Sequence, residues 1–205
     1  MSEKKVVTLV GKGDSWVYCP FMGEVWGISS VLGVPEMRDK HYDKVFAFDT
    51  LDKSNSYASE KLGEYLTVAK ERGIPIVSTR KYATERYPLV QVFQELGTTF
   101  FRPTISYMIA LAIYMKYDML HIYGIDQNKE ERYIRSRPFV DFWLGIALGR
   151  GVQYTIANKD FPSCTPTSMQ QIVDKVKHPK IAGEQITQSS DGLTGSGDIV
   201  NIHNL

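Results

Sequence analysis

"VTLVGKGDSW", Val7 to Trp16, drives an apolar run into two glycines, Gly11 and Gly13, with Asp14, Ser15 and Trp16 directly beyond. A buried strand that exits through a glycine turn opens a parallel α/β sheet, in which ligands gather at the carboxyl ends of the strands and turn amides face an anion. Two familiar phosphate motifs fail here. The third glycine of G-x-G-x-x-G falls on Trp16, and no G-K-[ST] follows for a Walker loop. Cys19-Pro20 also blocks an immediate helix. By spacing alone, the turn reads equally as a tight strand exit without a ligand and as a phosphate cradle.

Further β-branched or aromatic runs follow at Lys44–Phe48, Ile74–Ser78, Leu120–Tyr123 and Val152–Ile156. Helix-like stretches alternate with them at Gly23–Leu32, Tyr57–Arg72, Ile105–Lys116 and Pro138–Leu148. The second of these sets Leu62, Tyr65, Leu66 and Ala69 on one face and stops at Gly73, a C′ glycine. Pro138 stands near the start of the last, which closes on a glycine pair. The alternation predicts an α/β fold, a Rossmann-like three-layer sandwich with a mostly parallel sheet of about five to six strands. After Asn158 the texture changes to Pro, Gly, Ser and Thr, so the expected division is a nucleotide-binding domain over 1–157 and a C-terminal extension over 158–205 that contacts a second subunit.

Composition narrows the partners. Of 205 residues 43% are hydrophobic, enough for one sizeable core. Lys and Arg number 24 against 23 Asp and Glu, so no overall field draws the chain to nucleic acid or to an anionic bilayer. The most apolar stretch, Ile105 to Met115, is about half of the ~20 residues that cross a membrane. The charged opening Met1–Lys5 lacks a signal-peptide core, and Cys19 and Cys164 match no disulfide or metal spacing; the expectation is a cytoplasmic protein. Neither cysteine is a strong nucleophile. No H-x-x-x-H, C-x-x-C or G-x-S-x-G occurs, which argues against zinc hydrolases and serine esterases.

Candidate site residues stand at the strand ends. Asp49 closes "FAFD", where it meets a ribose hydroxyl in a dinucleotide fold, and Gly124 and Asp126 close "LHIYGID". Each aspartate alone also suits a turn or cap. Thr104 and Ser106 open the helix of "RPTISYMIALAIYMK", either as caps or as anion ligands. Arg135 and Arg137 read as phosphate ligands or as solvated charge, and Arg132 as solvated charge. Trp16, Tyr18 and Trp26 gather near the first turn, to stack on a base or to pack. His121 reads as a core histidine; His41 and His178 have no evident partner.

"LVGKGDSW", followed by "SYMIALAIYMKYDMLHIYGID", resembles Rossmann-like proteins that include the 6-hydroxymethylpterin diphosphokinase MptE-like family and the bacterial sialyltransferases. The continuation "ERYIRSRPFVDFWLGIALGRGVQYTI" is similar to small proteins of tailed bacteriophages, which would place the chain in a host cytoplasm. The resemblance spans roughly Val6 to Ile156. It implies that Gly11, Gly13 and Ser15 touch a nucleotide's phosphates and that Asp126 faces the same cleft. Asp14 stands where that pattern has proline, bringing negative charge that a divalent cation such as Mg would offset.

The resulting expectation is a transferase using a nucleotide-sugar or nucleoside-triphosphate donor, with Asp126 as general base. Ligand contacts are expected from Gly11, Lys12, Gly13, Asp14, Ser15, Trp16, Asp49, Thr104, Ser106, Gly124, Arg135 and Arg137. The alternatives are a phage protein that sequesters a nucleotide without reaction and an assembly protein that oligomerises through its tail.

Overall fold

Central parallel strands buried on both faces organise the architecture. The structure, a computed structural model, describes residues 3–51, 56–126 and 131–157. Seven strands form one sheet: β1 Val6–Val10, β2 Val25–Ile28, β3 Lys44–Phe46, β4 Ile76–Ser78, β5 Glu85–Arg86, β6 Met119–Tyr123 and β7 Gln153–Ile156. Their order is β5-β4-β3-β2-β1-β6-β7, with every described pairing parallel. Rossmann-like α/β is therefore the fold class, with more strands than the five to six expected.

The helices are α1 Pro35–Arg38, α2 Ser56–Glu71, α3 Leu89–Leu96, α4 Thr104–Tyr114, α5 Glu131–Ile134 and α6 Arg137–Gly149. Successive strand residues point to opposite faces. Val45 and Ile76 join Leu62, Leu66 and Ala69 of α2 in one core, while Phe46 and Val77 join Val92 of α3, Met108 of α4 and Trp143 of α6 in the other. The three-layer sandwich follows from that alternation. The chain grows outward from β1 to β5, then returns to lay β6 on the other side of β1. The β1/β6 boundary is thus a topological switch point, the place where open α/β sheets leave a crevice at their carboxyl rim.

Gly23–Leu32, expected as a helix, is instead β2 followed by a 3-10 turn over Ser29–Gly33. Pairing with β1 and β3 buries Val25 and Trp26 completely, and two-sided burial erases the polar/apolar alternation that marks a strand. Trp26 accordingly lies in the core against Phe46 and Tyr117, away from the first turn. Gly73 does close α2, with φ +66° and the Ile74 amide donating to the Ala69 carbonyl at 2.8 Å. The expected C-terminal extension, with Cys164 and His178, lies outside the described residues.

Trp26→Ala should cost about 3–5 kcal/mol in urea unfolding, because a buried indole leaves a cavity the sheet cannot close. Val90→Ser, at a residue 63% exposed, should change stability by less than about 0.5 kcal/mol.

Candidate functional site

The exits of β1 and β6 meet backbone to backbone. Gly11 donates its amide to the Tyr123 carbonyl and Gly13 donates to the Gly124 carbonyl, both at 2.8 Å. Ser15 crosses the same seam twice: its Oγ accepts from the Gly124 amide at 2.9 Å, and its own amide donates to Asp126 Oδ2 at 3.0 Å. A Cβ on Gly11 would overlap the Gly124 carbonyl oxygen, one on Gly13 would overlap Asp126 Oδ2, and one on Gly124 would overlap the Gly11 carbonyl. Gly124 also holds φ +66°, which L side chains rarely adopt. These glycines permit the close approach of two turns.

The amides of Gly11, Gly13 and Ser15, expected at a nucleotide's phosphates, each have a partner within the protein, and Ser15 is fully buried. The carboxylate of Asp126 already lies on the turn. A phosphate placed about 4 Å from it would meet a repulsion of about 4 kcal/mol at an effective dielectric near 20. Lys12 and Asp14 are exposed, and Trp16 is half-buried with its ring edge-on to Phe21. Asp126 Oδ1 has a different status: it is buried and has no hydrogen-bond partner among the described residues. A buried oxygen left unmatched is costly, so such an atom marks a place where a donor or cation fits.

The other expected residues spread along the carboxyl rim. Asp49 is exposed beyond β3, two strands and thus about 10 Å along the sheet from β1. Its backbone carbonyl accepts from the Tyr82 hydroxyl at 2.6 Å. Neither Thr104 nor Ser106 caps α4. Pro103 holds the N-cap position with no side-chain bond, and Ser106, fully buried, turns back to donate to the Arg102 carbonyl at 2.7 Å. Both side chains sit inside the first turn, past the position from which a cap reaches the free amides.

Arg135 pairs with Glu131 and Arg137 lies 3.6 Å from Asp141, each one helical turn away and solvent-exposed. Such pairs contribute little to stability. Arg135 also lines a groove of about 470 Å³ with Arg102, Pro103, Glu131, Ser136 and Phe139. The far end of α4 lies at the amino end of β1, where Lys5 Nζ donates to the Met115 carbonyl at 2.9 Å, so this groove at the start of α4 lies towards the carboxyl rim of the sheet. Sequence reasoning missed Arg102, for which the only signal was an arginine beside the proline that starts α4. Among the described residues no group of three or more His, Cys, Asp or Glu converges. His41 pairs with Asp43 at 3.1 Å, and His121 meets Thr155 Oγ1 at 2.8 Å.

No family model matches this chain, and no curated protein matches it. Solved structures similar in fold include the thiamine pyrophosphokinase of Bacillus subtilis, 10% identical with a TM-score of 0.44, matched over 76% of this chain. The match spans only 61% of that enzyme. Another is the sialyltransferase CstII of Campylobacter jejuni in complex with cytidine-5'-monophosphate, 16% identical with a TM-score of 0.46, matched over 79% of this chain and 85% of that one. At such identities the likeness is one of fold. No helix among the described residues is long and apolar enough to cross a membrane.

Gly124→Ala should lose clearly more stability than the ~1–2 kcal/mol expected for Gly151→Ala. Both have positive φ, but only the Gly124 position meets neighbouring backbone; paired urea melts read the difference. Burial pushes the Cys19 thiol up to about 11, against an opposing backbone hydrogen bond at Phe21. In the folded protein at pH 8 the Cys19 peptide should therefore resist iodoacetamide, by mass mapping, and become labelled in denaturant.

Proposed function

We propose that the chain is a nucleotide-binding transferase whose donor, a nucleotide sugar or a nucleoside triphosphate, lies in the crevice at the β1/β6 switch point. One observation carries the reading: a carboxylate oxygen, Asp126 Oδ1, just beyond β6 at the switch point, is buried without a hydrogen-bond partner among the described residues. An acceptor hydroxyl donating to Oδ1 satisfies that atom. As the acceptor oxygen bonds to the transferred group and the bond to the nucleotide's phosphate oxygen breaks, Asp126 takes the proton. Arg102 and Arg135, lining the groove at the start of α4, supply positive charge for the departing phosphate.

The test is incubation of the full chain with nucleotide sugars and nucleoside triphosphates plus sugar acceptors, with released nucleotide quantified by chromatography. Asp126→Asn should lower turnover by about 10²–10⁴-fold while the thermal unfolding midpoint stays within a few degrees. Unchanged turnover removes Asp126 from the reaction. Stoichiometric recovery of intact nucleotide instead supports a protein that binds without reacting.

A further inference from the structure

We infer that the Gly11–Ser15 turn is an anion slot filled by the protein's own carboxylate, so that this end of the crevice selects a neutral hydroxyl-bearing group and excludes phosphate. The identity of that group as a sugar rests on the nucleotide reading above; the exclusion of phosphate does not. Three observations converge. The Ser15 amide, a donor of the turn, already serves Asp126 Oδ2 at 3.0 Å. The amides of Gly11 and Gly13 are held by carbonyls of the β6 exit. What remains on that carboxylate is an acceptor, Asp126 Oδ1, buried and without a hydrogen-bond partner among the described residues. A carboxylate oxygen is matched by an O–H or N–H group, and a phosphate at neutral pH offers oxygen acceptors and negative charge.

Ser15 is the positioning residue of this arrangement. Its Oγ holds the Gly124 amide while its own amide holds Asp126, so one fully buried residue fixes both the turn that carries the carboxylate and the carboxylate itself. Phosphates of a longer ligand then lie away from the glycine turn, contrary to what the motif alone implies.

Amide-resolved NMR titration of the full chain with inorganic phosphate and, separately, with D-ribose tests this. In the unsubstituted protein, phosphate should leave the Ser15 amide unmoved while ribose shifts the Ser15 and Asp126 signals. Asp126→Ala should reverse the pattern, gaining phosphate affinity at the Ser15 amide by at least about tenfold, since removing the carboxylate frees a donor and a like charge, and losing the ribose response. Should that variant fail to fold, Asp126→Asn removes the charge and keeps an oxygen for Ser15. Equal phosphate binding with and without the carboxylate, or none in either, overturns the filled slot; no ribose response in the unsubstituted protein overturns the hydroxyl preference. Turnover is not read, so a missing transferase reaction and a failed slot are separate results.

Discussion

The contact on which this molecule depends is the seam between two strand exits, where Gly11 and Gly13 of the first turn lie against Gly124 of the last. Parallel neighbours spaced about 4.8 Å apart leave little room beyond their final residues. If the chain is to continue the β1–β6 pairing past Val10 and Tyr123, the residues there must lack a Cβ. Glycine at these positions lets main-chain amides and carbonyls of the two turns satisfy one another, and the buried polar backbone stays matched without water.

That seam also fixes the chemistry. Once the turns are locked, Ser15 and Asp126 have one arrangement open to them, and the aspartate's two oxygens become unequal. Oδ2 accepts a hydrogen bond from an amide, and Oδ1 has no hydrogen-bond partner among the described residues. The turn and the carboxylate are thereby held together by hydrogen bonds within the protein. The surrounding layers support this arrangement: β1 is buried from Val7 through Val10, and α4 backs the same strands with an apolar surface from Ile105 to Ile113.

Aromatic packing extends the same logic beyond the seam. Phe48, Tyr107, Phe101 and Trp143 stack successively, at centroid separations of 3.8, 4.4 and 4.9 Å, tying the exit of β3 through α4 to α6. Trp143 adds a hydrogen bond from its indole to the Phe100 carbonyl at 2.8 Å. The loop between α3 and α4, which carries Arg102 to the groove, is thereby held at Phe100 and Phe101.

Alternating apolar runs, helix-stop glycines and turn residues are local properties, and from them the α/β class, strands β1 and β6, and the span of α2, α4 and α6 were legible. So was the place of Gly11, Gly13, Gly124 and Asp126 beyond the ends of two strands. Partnership was not legible. Strand β2 looked helical because both of its faces are buried, and the two-residue β5 has no pattern to show. The glycines suggested a cradle for an outside anion, and only the folded chain, which brings Ser15 and Asp126 together across 111 residues, reveals that the Ser15 amide donates to a carboxylate of the protein itself. A sequence records which groups can donate and accept; which donor meets which acceptor depends on the distances that the closed sheet alone sets.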